Sequence, residues 1–253
     1  MTIQVLAADL GPRVRAGFTR RPGGGSAGPY AGLNLALHVG DEPAAVAANR
    51  ELLAAWAGGP VTFPHQVHGT DVLVVGGPGE LGGSAERGGS GDSSEPADAV
   101  VTAVPGTAVG VLVADCVPVL LADAEAGVAG AAHAGRKGYV AGVVEAALEA
   151  MEKLGARRAA IRAAVGPAAG PCCYEVPAAM RADVGAVRPD APAETLWGTP
   201  SLDLPGGCVA LLRAAGVASV VTVGGCTIED DDSYSYRRNG VTGRFAGVVR
   251  IEP

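Results

Sequence analysis

The sequence predicts an α+β fold: a single domain over residues 1–253, with mixed β-sheets flanked by helices. Three observations carry that expectation. Hydrophobic residues make up 48% of the 253 residues and aromatics only 4%, so a sizeable core would be built from small aliphatic side chains. The 39 glycines and 18 prolines imply many turns with short connections. Strand-like and helix-like segments alternate irregularly, without an internal repeat, which favours mixed sheets over a doubly wound parallel one.

Taken in order, "MTIQVLAADLGPRVR" reads as a first strand; it lacks the charged start, apolar run and small-residue cleavage site of a secretion leader. "RRPGGGSAGPY", residues 20–30, reads as a flexible stretch. "DEPAAVAANRELLAAWAG", 41–58, reads as a helix with Asp41 as its cap and Pro43 in its first turn. Residues 76–96, "GGPGELGGSAERGGSGDSSEP", carry too little apolar surface to order themselves and read as a mobile loop between strands.

Three short apolar runs follow, roughly 107–114, 117–122 and 127–132, each bounded by Gly, Pro or Asp. That is the pattern of buried strands. In 139–155, Val140, Val143, Val144, Ala147, Leu148, Met151 and Leu154 recur at three- and four-residue steps, predicting an amphipathic helix ended by Gly155. "LPGGCVALLRAAG", 204–216, reads as another helix, and "VASVVTVGG" after it as a strand.

The net charge of −7 and pI near 5.1 argue against a general nucleic-acid binder, which needs a basic face, while allowing a local basic pocket. No run of 18 apolar residues is present, so no membrane span is expected. Five cysteines, an odd number without a secretion signal, point to reduced thiols in a cytoplasmic protein.

The chain has four histidines. His65 and His68 fall in "HQVHGTDV", at the mouth of a turn between Pro64 and Gly69; His133 lies in "HAGRKG", where a strand runs into a helix; Cys116 lies in "ADCVP", between two strands. Strand ends are where scaffolds present working side chains. His68, Cys116 and His133 admit three readings: a three-ligand zinc site with an open fourth position, a buried free cysteine with two surface histidines, or a Cys–His nucleophilic pair. Asp115 either orients a ligating imidazole or closes a turn. "HAGRKG" before a helix also suits an anion, with glycines, free N–H groups and the charges of Arg136 and Lys137. Adjacent Cys172 and Cys173 read as packing or rim residues, because neighbouring cysteines do not easily share one metal. The acidic run Glu229–Asp232 reads as a solvated loop paired with Arg237 and Arg238.

"FTRRPGGGSAGPYAGLNLALHVGDEPAAVAANR", "HQVHGTDV", "DAVVTAVPGTAVGVLVADCVPVLLAD", "HAGRKG", "GPAAGPCCYEV" and "CTIEDDDSYSYRRNGVTGRFAGVV" occur in one order. The ordered set resembles the YfiH/YlmD family, also known as laccase-domain, multicopper-oxidase-like or PgeF-type, over about residues 16–250. The resemblance implies a cysteine-hydrolase-like α+β fold and zinc on His68, Cys116 and His133, with His65 lining the entrance. It implies phosphorolysis of purine nucleosides (adenosine, inosine, guanosine, methylthioadenosine) together with adenosine deamination. The partners would then be purine nucleoside and phosphate. On that reading Lys137, with Arg136 or Arg50, holds phosphate, while Asn34 and His38 reach the ribose or orient the metal shell.

Two alternatives accompany the resemblance. One is hydrolysis of an amide in a peptidoglycan precursor, using zinc or Cys116; the other is polyphenol oxidation. Four histidines cannot build a cluster of several histidine-rich copper sites, so zinc is expected over copper. A non-catalytic protein with a structural metal is the third class, with Cys172, Cys173 or Cys226 as a fourth ligand. The chain departs from the family in reading "HAGRKG" where "HAGWRG" is usual, which puts Arg136 in the tryptophan's place and Lys137 in the arginine's. Glu229 stands where a second cysteine is common. Arginine grips phosphate with a planar fork and lysine with a mobile point charge, so a changed anion affinity or substrate range is expected.

Overall fold

The computed structural model describes residues 2–76 and 92–253. Its strands are β1 (Val5–Ala7), β2 (Val14–Thr19), β3 (Val61–His65), β4 (Val72–Val75), β5 (Asp92–Pro96), β6 (Ala99–Thr102), β7 (Ala108–Val113), β8 (Val117–Asp123), β9 (Val128–Ala134), β10 (Arg162–Val165), β11 (Pro192–Glu194), β12 (Pro200–Leu202), β13 (Ser219–Thr222) and β14 (Phe245–Ile251). The helices are α1 (Pro43–Ala57), α2 (Arg136–Ala141), α3 (Val143–Lys153), α4 (Ala178–Val187), α5 (Leu204–Ala214) and α6 (Tyr236–Asn239). Two six-stranded sheets run β1-β2-β14-β7-β3-β5 and β13-β10-β8-β9-β6-β4, with β11-β12 a separate ribbon. Both large sheets mix parallel and antiparallel pairs, which bears out the α+β expectation.

Strand alternation explains the layering. Along β8, Val117, Val119 and Leu121 face one apolar cluster with α3 and α5, whereas Leu120 and Ala122 face another that both sheets share. Along β14, Val249 and Ile251 join the shared cluster, while Ala246 and Val248 pack with Leu53 and Ala57 of α1. Successive side chains of a strand point to opposite faces, so a continuous apolar run belongs to a strand covered on both sides. The result is four layers: α1, the first sheet, the second sheet, then α3 and α5.

The sequence expectations differ from the structure at four places. Gly142, at φ +104°, ends α2 and starts α3, splitting the single helix expected over 139–155; glycine takes that left-handed conformation without a Cβ clash. Residues 20–30 are ordered: Asn49 accepts the Gly25 N–H at 2.8 Å, and Ser26 bridges Gly32. Asp41 does not cap α1, whose N-cap is Glu42. Its carboxylate instead accepts from Ser26 Oγ at 2.6 Å and Asn34 Nδ2 at 2.9 Å. Of the loop expected over 76–96, residues 77–91 lie outside the described residues, and Asp92–Pro96 form β5 beside β3. An edge strand tolerates polar side chains because solvent satisfies its outer side. The Arg50–Asp92 ion pair at 2.8 Å anchors it.

Candidate metal centre and cavity

The β3–β4 connection, the β7–β8 turn and the end of β9 bring His68, Cys116 and His133 together, with ligand atoms within 4.8 Å of one another. Cys116 Sγ lies 3.8 Å from His68 Nε2, and the two imidazoles meet edge to face at 4.8 Å between centroids. Gly135 makes room for them: a Cβ there would stand 2.6 Å from His68 Cδ2 and 3.1 Å from Cys116 Sγ.

Asp98, buried just before β6, organises the group. Its carboxylate accepts the backbone N–H groups of Val67, His68 and Gly69 at 3.1, 2.9 and 2.6 Å. It also bonds His133 Nδ1 at 2.7 Å. His68 is held at φ +63°, a conformation uncommon outside glycine, and the three amide bonds fix that turn. Burial alone would raise the Asp98 carboxyl, but the His133 bond and the Gly69 and Val67 amides outweigh it, and the net shift is downward.

Asp115 closes a turn and does not orient an imidazole. At φ +88°, it accepts from Thr227 Oγ1 at 2.7 Å and from the Arg237 amide at 2.6 Å. Gln66 ties the His68 loop to β7 with two bonds to the Leu112 backbone, each 2.8 Å. Burial opposes ionisation of Cys116, but the His133 charge and the hydrogen bonds of His133 and His68 bring the thiol down to about 6. Burial likewise opposes a charge on His133; the facing Cys116 thiolate and Asp98 prevail and hold it up to about 9.

The donor triad opens onto a cavity of about 340 Å³, within the roughly 300–1,000 Å³ typical of small-molecule sites. His38, Tyr174, Arg136, Arg237 and Arg244 also line it, and the Arg237 guanidinium stacks over the Tyr174 ring at 4.6 Å. Partial desolvation and then the nearby Arg244 lower the His38 pKa.

Several residues singled out from sequence stand elsewhere. Asn34 is buried and bonded to Asp41, Ala36 and the Arg244 amide, bracing the backbone beside the cavity. Arg50 gives its guanidinium to Leu35 O and Asp92. Lys137 is exposed outside the lining, and so is His65, at the end of β3. Helix α2 spans only six residues, so the anion reading rests on side chains. Sequence reasoning missed Arg244 and the roles of Asp98 and Gln66. Cys172, Cys173 and Cys226 form a cluster of their own with Glu229, away from the His68–Cys116–His133 set.

The three-donor set suits zinc. Imidazole and thiolate are both good ligands for it, and three protein ligands leave one position open. Asp98 engages Nδ1 of His133 and leaves Nε2 as the nitrogen available to a metal. No helix among the described residues is long and apolar enough to cross a membrane.

Residues 15–252 match the family model for multi-copper polyphenol oxidoreductase laccase. The chain is 50% identical over 256 residues to Purine nucleoside phosphorylase ORF3 of Streptomyces griseus, covering 100% of both chains. It is 53% identical over 240 residues to Purine nucleoside phosphorylase SCO2081 of Streptomyces coelicolor, covering 93% of this chain and 95% of that one. Among solved structures it superposes on YlmD from Geobacillus stearothermophilus with a TM-score of 0.83, at 31% identity over 99% of this chain and 100% of the other.

Proposed function

The chain belongs to the multi-copper polyphenol oxidoreductase laccase family, and on that premise we propose that it is a zinc-dependent purine nucleoside phosphorylase. Its substrates would be adenosine, inosine, guanosine and methylthioadenosine, and it would also deaminate adenosine. The names of the Streptomyces relatives support the phosphorylase. The observation that carries the reading is a His–Cys–His donor set and three arginines around one cavity.

Zinc would be held by His68, Cys116 and His133, and when bound it supplies Lewis acidity. Asp98 faces His133 Nδ1 at 2.7 Å, so only the proton on Nε2 would be displaced by a bound metal. Arg136, Arg237 and Arg244 would bind phosphate, and the guanidinium fork matches its oxygens. In phosphorolysis a phosphate oxygen bonds to C1′ as the C1′–N9 bond breaks; the electron pair leaves on the base, which takes up a proton. The cavity's contribution is to hold the anion beside the ribose, which converts a bimolecular encounter into a positioned one. The stacked Tyr174 and Arg237 offer a flat wall of the kind purines pack against.

One observation favours a second reading. The lowered thiol of Cys116 beside His133 is the arrangement of a cysteine nucleophile, as an amidase acting on a cell-wall precursor would need. Polyphenol oxidation has less support: of the four histidines, His65 lies outside the cavity, which leaves too few for several copper sites.

The test is product analysis with metal-analysed protein and adenosine. Adenine and ribose 1-phosphate should form only with phosphate, inosine should form with or without it, and chelation should abolish both. Absence of turnover in zinc-replete protein, or activity that survives chelation and is lost on alkylating Cys116, would move the assignment to the cysteine hydrolase.

A further inference from the structure

A second group of metal-binding side chains lies outside the His–Cys–His set. Cys172, Cys173, Cys226 and Glu229 have ligand atoms within 4.8 Å of one another. They come from two tight turns, with Cys173 and Cys226 53 residues apart in sequence. In one, Gly170 O accepts the N–H groups of Cys173 and Tyr174; in the other, Cys226 O accepts those of Glu229 and Asp230. A parallel bridge between Ala168 and Cys226 sets the turns face to face.

The objection that adjacent cysteines do not easily share one ion fails on the geometry. Cys172 and Cys173 Sγ are 3.2 Å apart, and Cys172 Sγ is 3.3 Å from Glu229 Oε2. The edges of a tetrahedral zinc site with Zn–S near 2.3 Å and Zn–O near 2.0 Å would be roughly 3.5–3.8 Å, so small side-chain adjustments would admit an ion. Gly170 completes the cradle: its N–H donates to Cys226 Sγ at 3.3 Å, and a Cβ there would sit 3.3 Å from Cys172 Sγ and 3.2 Å from Cys226 Cβ. Glu229 forms no ion pair with any described residue, whereas Asp230, Asp231 and Asp232 pair with Arg20 or Arg238.

We propose that Cys172, Cys173, Cys226 and Glu229 form a second, structural metal site, for a zinc ion with four protein ligands. Three thiolates select a soft or borderline cation over magnesium or calcium, and four ligands close the coordination shell, unlike the three-ligand centre. The site clamps the turn that leads into Tyr174 to the turn that leads to Arg237. Thr227, inside the second turn, bonds Asp115 beside Cys116 at 2.7 Å. The ion therefore positions one wall of the cavity without touching substrate.

The test uses the full chain with His68→Ala and Cys116→Ala, which disable the first centre, and cobalt(II) as the probe. One equivalent of cobalt should bind with strong thiolate-to-cobalt charge-transfer absorption, and adding Cys226→Ser should abolish both. Because that variant risks misfolding, Glu229→Cys serves as the partner: it should keep one equivalent and intensify the band. A double variant that is folded by circular dichroism yet binds no cobalt overturns the proposal. So does cobalt binding that is indifferent to both Cys226→Ser and Glu229→Cys, or a Cys172–Cys226 disulfide in protein purified without oxygen.

Discussion

Asp98 Oδ1 lies 2.7 Å from His133 Nδ1, and the same carboxylate gathers the amides of Val67, His68 and Gly69. One buried acid thus orients the ring of one candidate ligand and holds the backbone of another. It couples two segments 65 residues apart in the chain.

Asp98→Asn keeps the side-chain shape but removes the charge that the amides and the imidazole share. Loss of such outer-shell partners typically costs about 10–100-fold in metal affinity or activity. We expect zinc content and kcat/KM to fall together by that order. Wild-type values for both, in a folded variant, would disprove the orienting role.

Gly135→Ala tests the space beside the centre. Its new methyl group would have to displace His68 or Cys116, and backbone at this strand–helix junction cannot yield freely. Zinc stoichiometry should drop with little change in far-ultraviolet circular dichroism. Full occupancy would show that the junction relaxes.

His38 should titrate below the ordinary imidazole value of 6.5, because desolvation and then Arg244 disfavour its charged form, while Asp92 opposes them and His65 and Arg50 add to the lowering. The folded chain then holds this proton more weakly than the unfolded one. Its contribution favours the folded state above 6.5 and is lost as pH falls through the folded midpoint. Phosphate bound in the cavity should raise that midpoint, as a nearby anion favours the imidazolium. Nuclear magnetic resonance of the His38 Cε1 proton, with and without phosphate, measures both, and a midpoint indifferent to phosphate places the anion elsewhere.

Arg237→Ala and Lys137→Ala separate the two sources of positive charge. Hydrogen bonds to charged groups are worth about 1.5–3 kcal/mol, so Arg237→Ala should raise the KM for phosphate by roughly 10–100-fold. Exposed Lys137 lies outside the lining, and its replacement should leave that KM unchanged. The reverse pattern would return the anion site to the start of α2.

The family was legible from motifs spread along the chain, and the strand runs before "HAGRKG" were legible from apolar content. The expected runs 107–114, 117–122 and 127–132 correspond to Ala108–Val113, Val117–Asp123 and Val128–Ala134. Asp98 gave no signal, since an acid before an apolar strand is ordinary in sequence. Arg237 reads as part of a solvated loop in sequence, because only the fold turns it over Tyr174. Cys172 and Cys173 read as packing or rim residues in sequence, because adjacent cysteines do not easily share one metal; only the fold brings Cys226 and Glu229 to them.

By itself, the sequence determined which segments are buried on both faces, the supply of soft and imidazole donors, and the absence of enough histidine for several copper sites. Those properties depend on local composition and on the two-residue period of a strand. Tertiary structure alone decided which donors meet, which carboxylate orients them, and which arginines face the cavity. Each depends on sheet register and on where a turn ends. A one-residue slip in register moves a side chain to the opposite face of a strand while composition stays the same.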